Sequence, residues 1–263
     1  MNKAIAATFI PALFVLAVGV AHAQTAADAA TSASSDCVPS QTDLARIQTV
    51  ENDPTLTVAQ ELNQELALRR QLLDQVLSCA VNDAQALQTD LSGIATPDGG
   101  STIQNLLNGK ITDALNFYNL EASQVANAGI RGTESIAKDT LSWRTSNYIP
   151  IKEDVDDFAL WSANQELFST AENRLTQTQR VVAFIESAAP NSGLQSSLDA
   201  ARSSLADAES QDTAAENSLS ELQPPDNSLA LIQRSLQSLA DTYQKFTDLN
   251  TLIQTLLPTT TNQ

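Results

Sequence analysis

Residues 143–161 read WRTSNYIPIKEDVDDFALW. The stretch lies near the middle of the chain and holds both tryptophans. It also holds the densest group of acids, Glu153, Asp154, Asp156 and Asp157. Pro150 has no backbone N–H, and its ring clashes with the carbonyl four residues back in a helix. The reading is therefore a hinge: one helix ends before Pro150 and another begins after it. Whether the protein is one bundle or two halves turns on this stretch.

Outward from it, both sides read as helix. From Thr57, with Gln60 as its capping-box partner, a run to Ile94 carries Leu66, Leu73, Ala80, Leu87 and Ile94 seven apart. Leu62, Arg69 and Val76 fill the alternate seam, which slips by one to Ala84 and Leu91. Such heptads predict a long helix packed on partner helices. Thr96-Pro97-Asp98-Gly99-Gly100 is a turn. Ser101 caps the next helix, whose stripe is Leu107, Ile111, Ala114, Tyr118, Ala122 and Val125. Gly129 and Gly132 mark a kink, a break or a close crossing.

After Pro150, Trp161, Phe168, Leu175 and Val182 fall seven apart, with Ala171, Thr178 and Ile185 completing the seam. Beyond Ala189–Gly193, the series Leu194, Leu198, Ala201, Leu205, Ala208, Asp212, Ala215, Leu219, Leu222 alternates by four and three. Asp212 is a polar interruption of the kind that sets register. Pro224-Pro225 breaks the chain again. Leu229, Ile232, Leu236, Leu239, Tyr243 and Phe246 then begin a last stripe that continues to Leu256. Ser40 or Thr42 caps a short helix that ends before Asp53-Pro54. No strand alternation persists. The expected fold is all-α, an elongated antiparallel helical bundle, coiled-coil-like, of about five long helices plus one short N-terminal helix.

The organisation expected is a signal peptide over 1–23, a disordered tail over 24–39, helical halves over 40–149 and 150–257, and a polar tail over 258–263. Lys3, the apolar run Ala12–Val18 and Ala21-His22-Ala23 make the secretory pattern. Export to the periplasm or the exterior is the localisation this implies. The apolar run is too short for a membrane span, and none is expected in the mature chain. Cys37 and Cys79 are the two cysteines, and in an exported chain they read as one disulfide.

Cleavage after Ala23 removes Lys3, His22 and Met1, leaving 13 basic residues (14 − 1) against 31 acids and no histidine or methionine. Histidine-dependent hydrolysis, zinc, haem and cupredoxin chemistry become improbable on residue type. No cofactor and no metal are expected. The acidic balance argues against nucleic acid as a partner. A protein partner, or self-association through helices, is the expected interaction.

Trp143, Arg144, Tyr148 and Pro150 are the candidate ligand-binding residues, as aromatic anchors beside a proline turn. Trp161 falls on the seam with Phe168 and belongs to the core. The four acids have two readings: a cation site, or the first turns of a helix whose dipole favours negative charge. The second is preferred, since the calcium-loop order of ligands and glycine is missing. Arg69 on the seam reads as a salt bridge to a facing helix or a snorkelling stem. Gly129-Ile130-Arg131-Gly132 followed by Tyr148-Ile149-Pro150 resembles the secreted helical minor-pilin subunits of bacterial type IV secretion systems over a short central stretch. The later helices lack the charged pattern of that family, and the chain is not assigned to it.

The functional expectation is an exported, non-enzymatic interaction scaffold or envelope component acting through helix packing. One alternative is an envelope ligand-binding module using the Trp143/Tyr148 turn. Another is a carboxylate-dependent cell-wall glycan hydrolase.

Overall fold

The structure, a computed structural model, describes residues 37–188 and 193–256. The expected signal peptide, most of the expected N-terminal tail and the 258–263 tail lie outside the described residues. The helices are α1 (Gln41–Glu51), α2 (Val58–Gly93), α3 (Gly100–Val125), α4 (Ile130–Trp143), α5 (Ile149–Ala188), α6 (Leu194–Ser220) and α7 (Pro225–Leu256). Between α4 and α5 lies a π-helical turn, Arg144–Tyr148. No strand occurs among the described residues, so the chain is an all-α bundle.

Local chemistry sets the boundaries. The Thr57 hydroxyl accepts the Gln60 N–H, and the Gln60 side chain accepts the Thr57 N–H, the reciprocal cap expected from the sequence. Gly99 opens α3 at φ +85°, a conformation that side chains rarely adopt. Arg70 of α2 donates through Nε and Nη2 to the Ala128 carbonyl at 2.9 and 2.7 Å, tying down the break between α3 and α4. That break ends at Gly129, the N-cap of α4, while Gly132 lies inside α4, which starts at Ile130.

The hinge expected at Pro150 is not there. Trp143 and Ile149 both have right-handed helical backbone, so α4, the π-turn and α5 form one continuous path. The Ile149 N–H donates to the Arg144 carbonyl five residues back. The wider turn takes up the register just where proline would remove a four-back bond and collide with a carbonyl. The steric rule on proline holds, but its outcome is a bulge rather than a break.

The main core crosses this point. Leu73, Leu77, Ala80, Ala84, Leu87 and Leu91 of α2 pack with Ile103, Leu107, Ile111, Ala114 and Tyr118 of α3. Tyr148, Ile151, Val155, Phe158 and Trp161 join the same cluster, as do Ala215, Leu219 and Ile232 from α6 and α7. Farther along α5, Phe168 and Ala171 meet Ala201, Leu205, Ala208, Leu239 and Phe246. Val182 closes the end with Leu194, Leu198 and Leu249. The α2 seam differs from the expected one: Leu77 is fully buried where the heptad count puts Val76, and Leu62 is exposed. The true seam steps by four and three from Leu73 to Leu91 without a stutter.

The antiparallel pairing shows in the polar ties. Gln88 donates to Asn108 and Gln104 to the Leu91 carbonyl across the α2–α3 hairpin. Ser228 donates to Ser218, and Lys245 to Ser204, across α6–α7. Small residues bring α6 and α7 together. Ala201, Ser204, Ala208, Ala215 and Ser218 on one helix face buried Ser228, Ser235 and Thr242 on the other. The Asp212 carboxylate accepts Gln165 Nε2 at 2.9 and 3.1 Å, a polar tie from α6 to α5 on an otherwise apolar seam.

Candidate functional site

The four candidate binding residues are drawn into the bundle to different depths. Tyr148 is fully buried, so a ligand meets no part of it. Its ring packs edge-on against Tyr118, centroids 5.9 Å apart. Trp143 is half-buried; it stacks on Phe117 at 4.5 Å and meets Tyr118 edge-on at 5.5 Å. Arg144 reaches back to α2, where Nη2 donates to Asp83 Oδ2 at 2.8 Å, while the guanidinium carbon lies 4.9 Å from the centre of the Tyr148 ring. Pro150 is half-buried beside them. The turn is a packed junction of α2, α3, α4 and α5, and of the aromatic anchors only Trp143 keeps an outward edge.

Electrostatics at this junction follow from burial. Desolvation pushes the Tyr148 hydroxyl well above the ordinary tyrosine range and raises that of Tyr118. Burial works against the Arg144 charge, but Asp83 and Tyr118 more than offset it, and the guanidinium is held above its usual value. The Tyr118 and Tyr148 hydroxyls and Arg144 Nη1 have no hydrogen bond of normal geometry. Arg144 lies near enough to Tyr118, and Asp83 to Tyr148, to act on their titration.

The acids of residues 153–157 are the larger correction. Helix dipole stabilisation needs a free helix N-terminus, and α5 is continuous with the helix before it. Asp154 and Asp157 are not solvated: each is 6% exposed. Asp154 Oδ1 and Asp157 Oδ2 are buried without a hydrogen-bond partner. Burial, followed by the Glu153 charge, raises Asp154 to about 6. Burial, then the charges of Asp154, Asp156 and Glu153, raises Asp157 to about 7, against a small opposing effect from the Leu229 N–H. A sequence signal for this existed. Carried back by sevens, the α5 seam passes from Trp161 to Asp154 and from Ala171 through Asn164 to Asp157. Counting only apolar residues hid it.

Arg69 reaches Glu51 of α1 at 3.6 Å, the interhelical bridge its seam position suggested, but its shorter bridge, to Glu65 at 2.6 Å, stays within α2. Cys37 and Cys79 are disulfide-bonded. Among the described residues, no three His, Cys, Asp or Glu side chains are grouped to hold a metal ion, and no helix is long and apolar enough to cross a membrane. Open grooves run along α2 at Arg70, Asp74 and Asn82, and between α6 and α7 at Asp207, Gln211 and Arg234. Neither contains a candidate residue of the 143–150 stretch. No family model, no curated protein and no solved structure matches this chain.

Proposed function

We propose that this protein is an exported, non-enzymatic scaffold that engages a protein partner, or a second copy, through its helical surface. The observation behind it is the far end of α5, where Phe184 is 77% exposed and Val181, one turn earlier, 43% exposed. Phe184 sits on a 40-residue helix, held from behind by Val182 in the end core with Leu194, Leu198 and Leu249. A large aromatic held outward on a rigid element is the kind of anchor that dominates binding energy at interfaces. Leu256, 40% exposed, adds apolar surface at the end of α7. The signal-peptide pattern and the disulfide support an extracytoplasmic setting. The ligand-binding alternative rests on the half-buried Trp143 alone.

Photo-crosslinking from position 184 in the native host, with position 166 as an exposed control on the same helix, tests the reading. Partner-specific or self-crosslinks from 184, lost in a Val181→Ser background, are expected. Equal, featureless labelling from both positions would overturn it.

A further inference from the structure

We infer that the seam between α5 and the α6–α7 turn is an acid-responsive latch: Asp154 and Asp157, buried side by side on α5, hold the turn closed when protonated and loosen it when both are ionised. The inference is independent of the scaffold reading. Three geometric observations carry it. The two carboxylates are three residues apart, on one helix face, and each is 6% exposed. Each has a buried oxygen without a partner. The α6–α7 turn, seven residues before the Leu229 N–H that acts on Asp157, is itself strained, because Leu222 joins α6 to α7 at φ +48°, a conformation that suits glycine.

The surroundings offer little compensation for two negative charges. On α5 itself, Glu153 and Asp156 add repulsion, and the charge of Lys152 acts on Asp156. From α2, Asp90 also acts on Asp156. The α3 side contributes apolar core side chains, its Lys110 and Asp113 being exposed. The end of α6 carries Glu216, with Glu221 at its C-cap. Against these stands one neutral donor, the Leu229 N–H of α7, directed at Asp157.

The direction of the effect is fixed by linkage. Both groups bind protons more tightly in the closed state than in an open, solvated one, where an aspartate has its ordinary value near 4. The stabilisation of the closed state is therefore full below about pH 4, is lost progressively as pH rises from there through about 6 to 7, and levels off above. This is the reverse of the usual salt-bridged carboxylate.

Hydrogen exchange on the full, disulfide-bonded chain tests it, with rates corrected for intrinsic pH dependence. Protection of amides 218–232 should rise about tenfold or more between about pH 8 and pH 5, since a proton held ten times more tightly in the closed state favours closure tenfold once it is bound. In D154N/D157N the protection should be flat with pH. In E166Q, which removes an exposed acid from the same helix, the rise should persist. Should the double variant not fold, D157N alone must lose at least half of the rise on a logarithmic scale. Wild-type protection that is flat or falls on acidification, or a full rise in D157N, would overturn the latch.

Discussion

Arg144 Nη2 lies 2.8 Å from Asp83 Oδ2 and fastens the π-helical turn to the middle of α2. Both side chains are largely removed from water, at 19% and 12% exposure. Without this bond the wider turn would have little to hold it against the regular helix on each side. Replacing Arg144 by Met leaves the Asp83 carboxylate in a half-dry site without its partner, and a loss of about 3 kcal/mol is expected. R144M/D83L removes both charges and should recover most of that loss. Thermal unfolding of the two variants and wild type checks this; equal losses in R144M and the double variant would refute the pairing.

Arg70 shows a different economy of contact. Two of its guanidinium donors converge on one carbonyl, that of Ala128, where α3 has ended and α4 has not yet begun. A lysine offers a point charge in place of this fork. R70A should cost about 1–2 kcal/mol, and R70K should restore only part of it. Chemical denaturation of the three proteins gives the measurement, and R70K equal to wild type would contradict the fork's role.

What the sequence made legible, and what it hid, has a physical basis. The stripes of α3 and α6 are visible because their buried positions are apolar and evenly spaced. Leu107, Ile111, Ala114 and Tyr118 are all buried, as are Leu194, Leu198, Ala201 and Leu205. The π-turn was hidden because proline gives the same local warning whether the chain breaks or widens by one residue. In the folded chain Arg144 of the wider turn pairs with Asp83, some sixty residues away, and no local pattern records that. The burial of Asp154 and Asp157 was hidden because charge argues for solvent, while position on the seam, the stronger determinant here, argues for the core.

The disulfide closes a loop of about 42 residues (79 − 37), and chain-entropy arguments put its contribution at about 4 kcal/mol. C37S/C79S should unfold at lower denaturant than wild type by that amount, with an unchanged spectrum in the native state. Thiol labelling of the native oxidised chain should find no reactive cysteine. Stoichiometric labelling, or a reduced protein as stable as the oxidised one, would remove the bridge from the account.

Gln165 and Asp212 settle how α6 sits on α5. Asp212 is buried at 9% exposure, and burial raises its carboxyl above the usual range against the opposing amide bonds from Gln165 and the influence of the nearby Trp161 indole. Polar residues on an otherwise apolar seam fix register while adding little net stability. Q165L leaves Asp212 without its amide donors, and a loss of about 1–3 kcal/mol follows from the unpaired buried group. Q165L/D212L replaces the pair by apolar side chains on a seam that already holds Ala208, Ala215 and Phe168. It should be at least as stable as wild type, because the desolvation of the polar pair is gone. Its loss should be in specificity. Leucine can occupy this seam position in more than one helix offset, so light scattering should show association of the double variant beyond that of wild type at the same concentration, or near-UV circular dichroism should show a weaker tryptophan signal around Trp161. A double variant that keeps both the oligomeric state and the tryptophan signal of wild type would show that the apolar residues alone set the register.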